Sequence, residues 1–318
     1  MSVIDPRVKS KHSITIPTMT QEQLGQLYAV LTAFCWATSA TLFERAGHRI
    51  GSVIVNFLRL GVAVGILGMI CLISRGRFFP TDIPQDVFFW ITLSGLLGFF
   101  LCDMCLFRAF VLAGARRALL MLSLAPCFAA LFDILIVKPP TPRMLLGMGI
   151  TLTGVILVIQ QRSESHETPH SRRELRIGIL LGAGAAFFQA LGASTADIAL
   201  RGGYEALPAT FVRASAGTVA FGLLIVLTRR ISDLYRGLQD LKALFLLTTG
   251  AVIGPVIGVT LFLASIARVQ PSVTQTILTT IPVLMLPIAH FSGRDRITPV
   301  SVFGTLVAVT GVIVLCWE

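Results

Sequence analysis

The 318-residue chain is 54% hydrophobic and only 13% charged, with 28 glycines and a mean hydropathy of +0.82. Soluble domains carry about 25% charged residues, so an ordinary soluble enzyme is excluded, as is a disordered or collagen-like chain. The net charge of +10 comes from 22 arginines and 4 lysines that punctuate apolar runs instead of clustering, which reads as membrane-flanking charge and excludes a nucleic-acid partner.

Residues 1–23 read as a polar N-terminal tail with Arg7, Lys9 and Lys11 and no short cleavable apolar region, so the first span is expected to remain in the mature protein. Apolar runs near span length follow at about 24–43, 52–73, 87–107, 116–137, 143–160, 177–198, 207–227, 241–263, 272–291 and 299–317. At about 20 residues per crossing these predict ten transmembrane helices in an all-α integral membrane protein. Residues 161–176 form the most polar interior stretch and are expected to link a unit over 24–160 to a unit over 177–318. All six cysteines lie in or beside apolar runs, as buried free thiols do.

The two units repeat one another. Phe57-Leu-Arg59 recurs as Phe211-Val-Arg213 at an offset of 154; Gly98 pairs with Gly254 and Pro126 with Pro282 at 156; Thr153-Gly-Val-Ile recurs as Thr310-Gly-Val-Ile at 157. A repeat of five spans holds an odd number, so its two copies must enter the membrane in opposite senses. Two inverted five-helix repeats with a central site between them are a common secondary-transporter layout.

These features resemble the drug/metabolite transporter superfamily, and within it the ten-helix group with two EamA-type repeats, over about 24–317. The resemblance rests on Arg59 and Arg213 early in the second helix of each repeat, on Pro126 and Pro282 midway along the fourth, and on the Thr-Pro entry to the fifth, Thr141-Pro142…Gly147 and Thr298-Pro299…Gly304. An acidic residue before that entry is matched by Asp295, whereas Lys138 stands in the first repeat. The resemblance implies transport of a small organic solute, in the export direction, with both termini in the cytoplasm of a bacterial inner membrane. The Lys and Arg count points the other way, with nine on the side of the termini and fifteen opposite.

Polar groups inside the spans are the candidate site. An ionisable side chain there costs about 2.5–3.5 kcal/mol on insertion scales and calls for a partner or a water-lined cavity. From the direction of travel, Glu44, Arg59 and Asp103 gather towards one surface and Asp133, Asp197 and Arg213 towards the other. Each arginine either fixes register in a buried ion pair or lines the pathway and meets an anionic group; each acid is a counter-ion or a proton-coupling carboxylate. Asn56, one turn before Arg59, is placed to satisfy it. Trp36 and Gln189 near the bilayer centre, with Gln275 somewhat shallower, are the uncharged pathway candidates. Pro126 and Pro282 each remove a helix hydrogen bond and should kink their spans. Glycines spaced as GxxxG, at 61/65 and 250/254/258 among others, provide close helix contacts and leave room for a homodimer contact.

Other signals are weaker. Cys102 and Cys105 have CxxC spacing, but no second pair lies nearby to make a metal site; His166 and His170 flank Pro169 in the linker. No phosphate loop, catalytic residue or cofactor site is predicted. The chain is expected to act as a transporter whose partners are a small-molecule substrate and the lipid bilayer; an intramembrane enzyme or a non-transporting scaffold is the alternative.

Overall fold

Thr20 opens the first helix with a reciprocal cap. Its hydroxyl accepts from the Gln23 amide and the Gln23 side chain accepts from the Thr20 amide, both at 3.1 Å. Helix α1 (Gln21–Ile50) then runs for 30 residues, about 45 Å at 1.5 Å per residue, and ends at Gly51, whose φ of +81° a side chain would resist. The computed structural model describes residues 19–113, 115–136, 139–160, 172–281, 283–284 and 299–316. The described residues are helical with short connections and contain no strand.

After α2 (Ser52–Arg75) the third run begins as α3 (Gln85–Gly95), passes through a π-helical stretch at Leu96–Leu101, and continues as α4 (Cys102–Ala113). The fourth is broken into α5 (Ala115–Leu122) and α6 (Ala125–Ile136), and α7 (Pro142–Gln160) closes the first repeat. Thr141 caps α7 by accepting from the Met144 amide at 3.3 Å, and Pro142 occupies the first helical position, where its missing donor is not needed. The Thr-Pro motif is thus a helix start.

The second repeat follows the same plan. It comprises α8 (Arg172–Leu200), α9 (Ala206–Leu227), a surface helix α10 (Ile231–Gln239), then α11 (Leu241–Ala251), a second π-helical stretch at Val252–Gly258, α12 (Val259–Ile266), α13 (Pro271–Leu278) and α14 (Pro299–Cys316). Asp240 caps α11 through the Ala243 amide at 2.9 Å and pairs with Arg49 of α1 at 2.8 Å. These bonds hold its carboxyl below the usual range, so its contribution is intact at neutral pH and is lost only as pH falls through that lowered value.

Six helical runs are long and apolar enough to cross a membrane: Gln21–Ile50, Ser52–Arg75, Gln85–Ala109, Arg172–Leu200, Ala206–Leu227 and Leu241–Ile266. Shorter apolar helices cover Ala125–Leu135, Pro142–Leu157 and Val302–Cys316. These match nine of the ten expected spans in position; of the ninth span, α13 is described, while residues 285–291 lie outside the described residues. Pro282, His290, Asp295, His166 and His170 also lie outside them.

The packing puts small residues inside and large ones outside. Ala29, Ala33 and Ala37 of α1 and Ala185, Ala186, Ala190 and Ala193 of α8 are buried, whereas Ile73, Leu135, Leu227 and Phe245 face outward. Lipid tails are as apolar as leucine, so large side chains gain little by turning inward and close backbone approach holds the helices together. All six cysteines are free; Cys71 and Cys102 are buried, while Cys127 is exposed.

Exchanging the repeats preserves the main helix contacts. Helix α2 packs on α9 and α7 on α14, α5 packs on α8 as its counterpart α13 packs on α1, and α1 packs on α11, α12 and the π-helical stretch between them just as α8 packs on α3, α4 and theirs. The α7–α14 contact shows how tight this is. A methyl group on Gly154 would collide with the Ala308 and Gly304 backbone, whereas one on Gly149 in the same helix meets nothing within 4 Å. Gly154→Ala should therefore destabilise the protein by roughly 1–3 kcal/mol, read as an earlier midpoint in detergent unfolding, while Gly149→Ala leaves the midpoint unchanged or raises it. Equal midpoints for the two variants would contradict the packing.

Candidate functional site

A cavity of about 460 Å³ lies between the repeats. Its wall takes Trp36, Ser39, Phe43 and Glu44 from α1, Arg59 from α2, Gly98 and Phe99 from the first π-helical stretch, and Cys102 and Asp103 from α4. Ser123 comes from the break between α5 and α6, Gln189 from α8, Gly254 and Pro255 from the second π-helical stretch, and Gln275 and Thr279 from α13 and the turn after it. Many of these are repeat-related pairs: Gly98 with Gly254, Phe99 with Pro255 and Ser123 with Thr279 at an offset of 156, and Trp36 with Gln189 at 153.

Two close crossings set the cavity's width. Gly192 of α8 lies against Gly98, and a Cβ on Gly192 would meet the Gly98 backbone at 2.8 Å; the Ser39 side chain of α1 lies against Gly254, where a Cβ would meet its Oγ at 2.7 Å. Both contacts fall in π-helical stretches, local widenings of the helix that are common at functional sites. Pro255 accounts for a missing donor in the second stretch. The first has no proline, and what the two share is the glycine at the crossing.

Of the expected pathway residues, Trp36, Arg59, Gln189 and Gln275 line the cavity. Gln275 Nε2 donates to the Gln189 carbonyl at 3.3 Å, and the Cys102 thiol donates to Gln189 Oε1 at 3.6 Å, so the two glutamines and the first CxxC cysteine form one polar stripe. The Trp36 ring packs on Phe262 with centroids 5.4 Å apart and fills the space beside Gly258. Glu44 lines the cavity where it is half exposed, 3.9 Å from His48.

The charges are arranged differently from the expectation of two matched clusters. Arg59 pairs with Asp103, both largely shielded, and its guanidinium lies 4.9 Å from the Phe43 ring centroid. Asp103, not Asn56, is therefore the partner of Arg59; the Asn56 Oδ1 is buried without a hydrogen-bond partner among the described residues. Arg213 does not join Asp133 and Asp197. It is 2% exposed and sits between Phe99 and Phe262, 5.1 Å from each ring centroid, with Nε and Nη1 making no hydrogen bond among the described residues.

Asp133 and Asp197 have partners of their own. Asp133 is fully buried on α6 and accepts from the Ser272 amide in the first turn of α13 at 3.0 Å, capping a helix of the other repeat. Asp197 pairs with Arg201 one turn on, at 2.7 Å. Arg201 falls just past the sixth apolar run, and its i,i+4 spacing from Asp197 is the signal that could have found the pair. Pro126 stands in the first turn of α6, just after the two-residue break at Ser123-Leu124, where its missing donor falls at a helix start. The same break recurs at Thr279-Thr280, ahead of Pro282.

A model of the EamA-like transporter family matches residues 23–160 and again 176–317. The chain belongs to this family. No curated protein matches it. A solved structure, described only as the crystal structure of a protein, aligns with a TM-score of 0.69 over 91% of this chain and 94% of that one, at 18% identity, which shows the fold alone. As a member of the EamA-like transporter family, the chain is a multi-pass membrane protein, and its cavity lies where the two matched repeats meet.

The Arg59–Asp103 pair yields a direct test. Removing one partner of a shielded ion pair leaves the other charge uncompensated, at a cost on the order of 3 kcal/mol. Asp103→Asn should therefore lower the unfolding midpoint more than the double variant Arg59→Gln/Asp103→Asn. A double variant less stable than the single one would contradict the pairing.

Proposed function

We propose that the chain is a secondary-type transporter that moves a small organic metabolite or drug-like solute through the central cavity by alternating access, in the export direction. It would cross a bacterial inner membrane ten times, as two inverted sets of five helices with both termini inside. The observation that carries this reading is the cavity itself, walled by repeat-related residues of both halves and holding polar groups at the middle of otherwise apolar helices. The main helix contacts that survive exchange of the repeats support it, because they offer two similar arrangements of the same interfaces. The breaks at Ser123-Leu124 and Thr279-Thr280 give the fourth and ninth spans matched points at which to bend.

Glu44, Arg59 and Asp103 would then form the charged wall of the cavity, with Trp36, Gln189 and Gln275 presenting surfaces to the solute. Asp133 and Asp197 lie outside that wall and would act through the helices they hold.

Counterflow in proteoliposomes tests the reading. Vesicles preloaded with a panel of amino acids, nucleosides, sugars, amines and organic acids should accumulate at least one labelled counterpart, and Gly254→Leu, which fills a crossing, should abolish that accumulation. Absence of counterflow with every solute, alongside a hydrolytic activity of the same preparation, would falsify it. Labelling of a cysteine placed in 163–171 from outside intact cells supports the assigned orientation; protection reverses it.

A further inference from the structure

The cavity's charges do not balance where they are buried. The repeat places one arginine in each half, Arg59 and Arg213, but only the first half has an acid at their meeting level, because the position equivalent to Asp103 is Val259. Asp103 is already held by Arg59. Arg213 therefore lies in the interior against two aromatic rings, with Asp103 near enough to attract it but bonded to Arg59, and its Nε and Nη1 make no hydrogen bond among the described residues. Rings attract a cation over their faces but leave its in-plane N–H groups without acceptors, and a buried charge without acceptors is costly.

The guanidinium is also within reach of the cavity. Its Nη2 occupies the place a Cβ on Gly98 would take, and both Gly98 and Phe99 form cavity wall. Arg213 is not itself a wall residue; its guanidinium edge stands behind Gly98, in the space a side chain there would take. With Phe99 and Phe262 near its two sides, the edge is the direction left for an acceptor, and a planar guanidinium edge is matched by the paired oxygens of an oxyanion. Glu44 is the other carboxylate on the wall, but it is half exposed and screened by water. Apart from the stripe of Gln189, Gln275 and Cys102 and the hydroxyls of Ser39, Ser123 and Thr279, the remaining surface is mostly apolar and aromatic, with Trp36, Phe43 and Phe107 prominent. A volume of about 460 Å³ suits a body of one or two fused rings.

We propose that the solute of this cavity is an amphipathic organic monoanion, a planar apolar body bearing one carboxylate or similar oxyanion, and that Arg213 receives its negative charge at Gly98. This rests on the transport reading and adds to it the substrate class and the group that selects it.

Isosteric probes test the inference without knowledge of the natural solute. Binding of naphthalene-2-sulfonate and naphthalene-2-sulfonamide to the purified full-length protein in neutral detergent is measured by titration calorimetry. The sulfonate should bind about tenfold tighter or more, as a charged hydrogen-bonded contact warrants. Arg213→Gln should erase the preference while sulfonamide binding persists, which also shows the variant is folded, and Arg213→Lys should retain part of it. If Arg213→Gln does not fold, Gly98→Ala, which fills the space the guanidinium edge occupies, should reduce the preference instead. Equal affinity for the two probes, a preference that survives both Arg213→Gln and Gly98→Ala, or binding of neither probe overturns the inference. Counterflow of another solute class with no sulfonate binding overturns the substrate class alone, whereas selective sulfonate binding without any counterflow supports the site and counts against transport.

Discussion

Gly192 of α8 lies backbone to backbone against Gly98, and the short Ser39 side chain of α1 lies against Gly254, so that the first helix of each repeat touches the third run of the other closely at a glycine. Everything else about the site depends on these two contacts. They hold the repeats together at the level of the cavity, and they coincide with the π-helical stretches that turn Phe99 and Pro255 into the wall. At Gly98 the same absence of a side chain also makes room for a guanidinium. In a bilayer, where burying leucine yields little, such backbone approach is the main source of helix association.

Four ionisable groups inside the helices are stabilised in four different ways. Asp103 takes a guanidinium from α2, Asp133 a backbone amide at the start of α13, Asp197 an arginine one turn along its own helix, and Arg213 the faces of two phenylalanines. The first three are carboxylates given donors, and each tie fixes a helix contact or a helix end. The fourth is a cation whose Nε and Nη1 find no acceptor among the described residues. That asymmetry separates the groups that hold the architecture from the one best placed to respond to a ligand.

Much of this was legible in the sequence. Hydropathy located the apolar runs to within a few residues, and the 156-residue offset marked Gly98 and Gly254 before their crossings were known. Helix α10 was missed because Arg229, Arg230, Asp233 and Arg236 dilute its hydropathy, although Ile231, Tyr235 and Leu238 lie at helical spacing along it. The π-helical stretches span six or seven residues, too few for their period to be told from an ordinary helix. Pro255 was legible in principle, one residue past a glycine the repeat had already marked. The grouping of Arg213 with Asp133 and Asp197 failed for a physical reason. Its backbone lies against Gly95, but its long side chain carries the charge to Gly98, nearly a turn further along the third run. Depth along a helix locates a Cα, and an arginine's charge lies several ångströms away from it.

Alternation of access at the cavity between the repeats is the central claim, and Ser123, a repeat-related wall residue, allows it to be observed. In a cysteine-free background carrying Ser123→Cys, a membrane-impermeant thiol reagent is applied from each side of sealed vesicles in turn. The account predicts that the residue reacts from both sides, and that a transported solute slows both reactions. Reaction from one side alone under every condition would mean a fixed pocket, and would contradict it.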